Sequence, residues 1–297
     1  MSELLVITGA TGAAGRNFLA EPPGNFQLRL VAANNRSIGA GGHEVISVAQ
    51  LPKQKWDAQT SILHLAAAKR GAPQVIVDRV NVEFTKRLAL IASQAAVKNF
   101  IFTSCAYGPR AYVESKRRAE ETLQEIFKDS PTRLVILRLA PLYGPFAQGS
   151  LQSLARLAMA GVKLPLADLG ARAHRLYVGN LGLAIKKILT SEAPGGLYEL
   201  ADQDAMSLGE CHQILFQAIH QSPGCFRFPP LGWLERLSQS WEARYRPLPG
   251  AEGLHQLFRE ERINSQAFAR DFAYQEGHSA LAGIQALAAW NMDLEGE

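Results

Sequence analysis

The chain has 297 residues, 47% of them apolar, and a formal net charge of +4. That is enough to bury one large core, or a main domain with a smaller partner, and it excludes a disordered or low-complexity protein. No run reaches the roughly 18 consecutive apolar residues of a membrane span, and no basic block is interleaved with aromatics, so neither a membrane nor nucleic acid is expected as a partner.

Taken in chain order, Leu4–Thr8 predicts a first strand, followed by Gly9, Gly12 and Gly15 and a helix over Ala13–Ala20. Leu28–Ala33 and Val45–Val48 predict the next two strands, with Ser37–Gly42 between them too short and glycine-rich for a full helix. Then come a strand at Ile62–Leu65, a helix over Gln74–Ala95, a strand at Phe100–Thr103, a helix over Tyr112–Phe127 and a strand at Leu134–Leu139. Continuous Val, Ile and Leu runs suit strands buried on both faces. Their alternation with helices predicts α/β architecture, a doubly wound parallel sheet occupying residues 1–140.

Beyond Leu139 the pattern changes, because Pro141, Pro145, Gly149, Gly161, Pro165 and Gly170 break the chain repeatedly. Asn180 is expected to cap a helix running to Thr190, and Ser207 with Glu210 forms a capping-box signature for a helix to His220. Five prolines between residues 223 and 249 argue against long regular structure there. Residues 141–297 are therefore expected to combine segments that return to the sheet with a small, mainly helical lobe forming the second wall of a substrate cleft. Cys105, Cys211 and Cys225 have neither paired nor metal-like spacing, which fits a reducing, cytoplasmic setting and no metal site. The start of the chain lacks a basic segment leading into a long apolar core, so no signal peptide is expected.

The glycines stand where a strand ends and a helix starts, the context of a dinucleotide-binding turn. The first permits the tight turn, the second admits a pyrophosphate to the backbone, and the third lets helix and strand pack closely. Gly9, Thr11, Gly12, Ala13, Ala14 and Gly15 are the candidate phosphate cradle. After the second strand, where an acidic residue would read an NAD ribose, the chain has Ala33-Asn34-Asn35-Arg36-Ser37. With no carboxylate there, Asn34 and Arg36 are the candidates for the adenosine ribose, and Arg36 can pair with a 2′-phosphate. The expected cofactor is NADP, with NAD as the alternative.

Tyr112 and Lys116 lie four apart, on the backward extension of the apolar stripe Ala119, Leu123, Ile126 and Phe127. The opposite face carries Glu114, Arg117, Arg118, Glu121 and Glu125, with Glu114–Arg118 and Arg117–Glu121 spaced for ion pairs. A phenol titrates near 10, and a neighbouring ammonium favours its ionised form. Bringing it near neutrality takes about 4 kcal/mol of differential stabilisation. Tyr112 is the candidate proton donor or acceptor for a carbinol, acting beside a nicotinamide. Ser104 is the first candidate to hold the substrate oxygen; Thr103 or the weaker donor Cys105 are the others.

Together these features resemble the extended short-chain dehydrogenase/reductase family, the NAD(P)-dependent epimerase/dehydratase group. The resemblance rests on Thr8-Gly9-Ala10-Thr11-Gly12-Ala13-Ala14-Gly15; His64-Leu65-Ala66-Ala67; Asn81-Val82 with Thr85; Phe102-Thr103-Ser104; Tyr112 with Lys116; Arg138 with Tyr143-Gly144-Pro145; and Arg175-Leu176-Tyr177-Val178. It implies a Rossmann-type domain, bound NAD(P), a Ser104–Tyr112–Lys116 catalytic set, and Leu65, Ala66 and Ala67 lining the cofactor. It implies that Lys116 bridges to the nicotinamide ribose. Many members act on nucleotide sugars, often as homodimers, and the helices over Gln74–Ala95 and Tyr112–Phe127 could pair across a two-fold axis. Arg227, Arg244, Arg246 and Arg262 are candidates to hold a substrate diphosphate.

Three departures bear on the substrate. Ser104 and Tyr112 are close, where the family usually has about 20 or more residues between them, so a substrate-facing loop is missing. Leu139-Ala140-Pro141-Leu142 lacks the asparagine that often meets the sugar nucleotide, and Ser47-Val48-Ala49-Gln50 lacks the aspartate that contacts adenine. The resemblance implies hydride transfer at a nucleotide-sugar-like hydroxyl or keto group, whereas the short loop and the missing asparagine favour the first of two alternatives. The alternatives are an NADPH-dependent carbonyl reductase and a non-catalytic NADP-binding regulator.

Overall fold

Short runs rich in Val, Ile and Leu build the sheet. Its strands are β1 (Glu3–Thr8), β2 (Phe26–Ala32), β3 (Glu44–Ser47), β4 (Thr60–His64), β5 (Asn99–Cys105), β6 (Arg133–Leu139) and β7 (Gly196–Leu200). All pair in parallel, in the order β3-β2-β1-β4-β5-β6-β7. This is a computed structural model that describes residues 3–32, 43–68, 71–164, 171–225 and 260–296. Asn34 and Arg36 lie outside the described residues, as do Arg227, Arg244 and Arg246.

The order reverses beside β1, the switch point at which open α/β sheets bind ligands beyond their strand ends. Helix α1 (Ala13–Ala20) follows β1. Between β4 and β5 the helical run expected over 74–95 has three parts: α2 (Gln74–Asp78), a π-helical turn (Arg79–Phe84) and α3 (Thr85–Gln94). The π turn fits one extra residue into the helix, a feature that often re-aims a side chain. After β5, only residues 106–109 precede α4 (Arg110–Phe127). The third strand ends at Ser47, one residue before the predicted end, and residues 48–53 form a 3₁₀ turn capped by Ser47 and Gln50.

The described residues divide into two compact units. The first draws on residues 1–142, 176–201 and 263–277. It holds the sheet, α1–α4, α6 (Val178–Thr190) and α8 (Gln266–Asp271). Helices cover both sheet faces. One core joins Leu5, Ile7 and Phe18 to Leu181, Ile185, Ile188, Phe268 and Phe272; the other joins Val6, Ile62, Phe100 and Phe102 to Leu88, Ala119, Leu123 and Phe127.

Asn180 is not the cap expected for α6. The helix starts at Val178 behind an extended Tyr177, and Asn180 is buried within its first turn. There its Oδ1 accepts from the Gly277 N–H at 3.2 Å. A residue type favoured at caps here serves a tertiary contact instead.

The second unit draws on residues 143–175, 202–262 and 278–297. Its described helices are α5 (Ser150–Met159), α7 (Leu208–His220) and α9 (Ala280–Gly296). Ser207 and Glu210 form the expected capping box at the start of α7. Gln152 Nε2 donates to Asn291 Oδ1 at 2.7 Å, joining α5 to α9. Among the described residues no helix is long and apolar enough to cross a membrane. The three cysteines form no disulfide.

Candidate active site

The site is built at the C-terminal ends of β1, β4 and β5. Gly9 takes φ +73°, and a Cβ there would stand 2.6 Å from the Ala66 nitrogen. The Gly12 N–H closes the turn on the Gly9 carbonyl at 3.0 Å. Gly12 is the N-cap of α1, with no side-chain cap and no acidic residue in the first turn. An α-helix start leaves its first N–H groups without intrahelical partners, so the end of α1 can meet an anion. A Cβ on Gly12 would meet only the Gly9 oxygen, at 3.4 Å, and the residue is exposed. A Cβ on Gly15 would stand 2.5 Å from the same oxygen and 2.6 Å from the Ala10 Cα, so the third glycine lets helix and turn touch. The turn is thus open toward solvent and closed toward the protein, as a pyrophosphate cradle requires.

A buried network ties β4 to this turn. The Leu65 N–H donates to the Thr8 carbonyl at 3.2 Å, and the Ala66 N–H to Thr8 Oγ1 at 3.3 Å. His64 bridges Thr8 Oγ1 (2.6 Å from Nδ1) and Thr85 Oγ1 (2.8 Å from Nε2). Leu65–Ala67 is thereby held beside the glycine turn. Burial, and secondarily the Lys116 charge, lowers the His64 pKa to about 3. In the unfolded chain the imidazole titrates near 6.5, so between these values the unfolded state takes up a proton that the folded state does not. Stability therefore falls as the pH drops from about 6.5 toward 3. From pH 7 to pH 5 we expect this group to remove about 2 kcal/mol of unfolding free energy. Urea titrations at both pH values should show the loss in the wild type and a flatter response in His64→Gln; equal slopes would reject this role.

Asn81, on the π turn, is fully buried. Its Oδ1 accepts from the Ala68 N–H at 2.8 Å and its Nδ2 donates to Ser115 Oγ at 2.9 Å. Ser115 Oγ in turn donates to the Tyr112 carbonyl at 2.7 Å. The strand-four lip and the Tyr112 turn of α4 are thus joined through one amide side chain. Asn81 was visible in the sequence only as part of a family-like motif; this bridge was not.

Along α4, Lys116, Ala119, Leu123 and Phe127 are buried and Tyr112 is half-buried, as the stripe predicts. Lys116 is only 2% exposed. Its Nζ donates to the Thr103 carbonyl at 3.0 Å and lies 4.6 Å from the Phe102 ring centre. Burial lowers its pKa to about 8, while Cys105 and Glu120 act in the opposite direction. The ion pairs on the outer face are not those expected: Glu114 pairs with Arg110, Arg117 with Glu120, and Arg118 with Asp78. Asp78 lies on α2, so tertiary packing offers Arg118 a partner that helical spacing does not reveal.

The strand-five hydroxyls are both engaged. Thr103 Oγ1 donates to the His64 carbonyl at 3.2 Å. Ser104, 5% exposed, donates to Glu120. Cys105, which ends the strand, is half-buried. Glu120 itself escaped the sequence reading, although Tyr112, Lys116 and Glu120 recur every four residues. Of the arginines proposed for a diphosphate, Arg262 is described: it is exposed and stands 3.6 Å from Glu260.

The sheet order and the glycine turn at its switch point define a Rossmann-type, dinucleotide-binding α/β protein. The chain belongs to the NAD dependent epimerase/dehydratase family, whose model matches residues 5–201. It is an NAD(P)-dependent enzyme of that family. It is 25% identical over 262 residues to the N-acetyl-alpha-D-glucosaminyl-diphospho-ditrans,octacis-undecaprenol 4-epimerase of Escherichia coli O157:H7, covering 79% of this chain and 78% of that one. It is 26% identical over 245 residues to the UDP-glucose 4-epimerase of Vibrio cholerae, covering 71% and 74%. Its fold is similar to that of the crystal structure of UDP-N-acetylglucosamine 4-epimerase from Bacillus cereus. That likeness has a TM-score of 0.75 at 16% identity and covers 97% of this chain and 99% of the other.

Proposed function

We propose that the protein interconverts a nucleotide-sugar-like substrate by proton transfer at Tyr112, coupled to hydride exchange with NADP. The observation that carries this reading is the Lys116 ammonium, buried one helical turn beyond a half-buried Tyr112. A desolvated cation favours the phenolate, which lets Tyr112 take a proton from a carbinol or return it to a keto oxygen. Gly9, Thr11, Gly12, Ala13, Ala14 and Gly15 would hold the pyrophosphate, and Leu65, Ala66 and Ala67 would line the cofactor. The bound nicotinamide supplies hydride acceptance and return. The two 4-epimerases among the relatives support the sugar substrate.

Thr103 and Ser104 both spend their hydroxyl protons inside the protein; for the position facing the substrate oxygen we propose the third candidate, Cys105, on its half-buried place at the end of the strand. A thiol is a weak donor. Cys105→Ser should therefore keep or raise kcat, and Cys105→Val should lower it about tenfold. Wild-type kcat in the valine variant would return the role to another group.

NADP is assigned on Arg36 and on the lack of a carboxylate after β2. Arg36→Ala should weaken NADPH binding about tenfold while leaving NADH binding within about twofold. Equal losses, measured by fluorescence titration, would favour NAD.

The deciding experiment denatures the purified protein, identifies any released nicotinamide nucleotide, and assays UDP-glucose, UDP-N-acetylglucosamine and small ketones. Retained cofactor with sugar interconversion is expected. Net NADPH consumption with ketones and none with sugars would overturn the reading in favour of a carbonyl reductase. The four-residue β5–α4 connection, residues 106–109, favours that second reading.

A further inference from the structure

Glu120 is 2% exposed, and an uncompensated carboxylate at such a position is costly. This one is compensated from three elements. Arg138, on β6, donates Nη2 to Oε2 at 2.6 Å and Nε to Oε2 and Oε1 at 3.0 and 3.2 Å. Arg117, on α4, donates Nη1 to Oε1 at 2.7 Å. Ser104, on β5, donates its hydroxyl to the same Oε1. Arg138 stands opposite Ser104 in the sheet register, so the carboxylate spans the β5–β6 pair. Arg117 also donates Nη2 to the Ala106 carbonyl at 3.3 Å.

We propose that Glu120 is a positioning residue for the Tyr112–Lys116 pair, a buried carboxylate that locks the end of β5 to α4 and so fixes the carbonyl on which Lys116 rests. Helix α4 grips the strand end at three points: Thr103 through Lys116, Ser104 through Glu120, and Ala106 through Arg117. Only residues 107–109 then separate the last grip from the start of α4. With so short a connection, a shift at Ser104 passes to both the Thr103 carbonyl and the first turn of the helix. Glu120 also supports the charge of Lys116. The groups that act on that ammonium are Glu120 from its own helix and Cys105 from β5, and it in turn acts on His64 from β4.

The test uses Glu120→Gln, which keeps the shape and removes the charge, and Glu120→Asp, which keeps the charge and shortens the reach. Lysines carrying ¹³Cε are titrated by NMR, with Lys116→Met assigning the resonance. The kinetic readout is kcat and KM for UDP-glucose or UDP-N-acetylglucosamine, and so rests on the proposed function. In Glu120→Gln the Lys116 midpoint should fall by about half a pH unit or more, with kcat down about tenfold and KM within about threefold. Glu120→Asp should restore the Lys116 midpoint and part of kcat. A wild-type midpoint together with wild-type kcat in Glu120→Gln would overturn the proposal. If that variant does not fold, Glu120→Asp decides: a kcat loss at near-constant KM supports the role, and wild-type kcat rejects it. Absence of sugar turnover in the wild type would sink the functional reading instead. The Lys116 midpoint then decides alone: a fall in Glu120→Gln supports the proposal and an unchanged value rejects it.

Discussion

Tyr112→Phe is expected to lower kcat at least about a hundredfold while changing cofactor affinity by less than about threefold. The substitution removes one oxygen. Ser115 holds the Tyr112 backbone carbonyl, not its side chain, and Asn81 holds Ser115, so the helix turn should survive the change. Lys116 keeps its bond to the Thr103 carbonyl as well. What disappears is the group proposed to carry the proton, and a loss confined to kcat is the signature of an interaction made only during reaction. Steady-state kinetics with sugar substrate, beside calorimetric binding of NADP, separates the two. Wild-type turnover in this variant would falsify the mechanism.

Gly15→Ala is expected to cost about 3 kcal/mol, lower Tm by roughly 5–10 °C, and abolish measurable cofactor binding. The added methyl meets backbone on three sides: the Gly9 oxygen at 2.5 Å, the Ala10 Cα at 2.6 Å and the Ala10 oxygen at 2.7 Å. No flexible side chain can yield there. Either α1 moves off β1 or the turn opens, and both displace the N–H groups of the proposed cradle. Gly24→Ala is the internal control, since nothing lies within 4 Å of its added Cβ. It should leave Tm unchanged or slightly raised, because it restricts only the unfolded chain. Scanning calorimetry of both variants, with and without NADP, gives the comparison. Equal melting temperatures would mean that the close approach of α1 to the turn carries little energy.

The sheet and its glycine turn were legible because their signals are local. A strand buried on both faces reads as a near-continuous apolar run, and a turn that a Cβ would block must hold glycine. The Tyr112–Lys116 face of α4 was legible for a similar reason, since helical periodicity places both residues on the stripe of Ala119 and Leu123. Reading failed where a residue's partner comes from another element. Asn180 looks like a cap, yet accepts from Gly277. Arg118 looks like the partner of Glu114, yet pairs with Asp78. The π turn at 79–84 was not read from the sequence, and Asn81 on it bonds Ala68 and Ser115, residues of other elements.

Sequence by itself thus determined the class of fold, the glycine turn, and the pair of side chains on which the proposed chemistry depends. These follow from period, spacing and the steric demand for glycine, all properties of a contiguous segment. Tertiary structure alone decided what surrounds that pair. It committed the Ser104 hydroxyl to Glu120 and the Thr103 hydroxyl to the His64 carbonyl, and it left Cys105 at the strand end. It also made Glu120, which the sequence reading passed over, a buried and doubly paired anion. The physical reason is that a buried charge or hydroxyl takes whichever partner the fold brings within reach, and residues 104, 120 and 138 meet only after β5, α4 and β6 have packed.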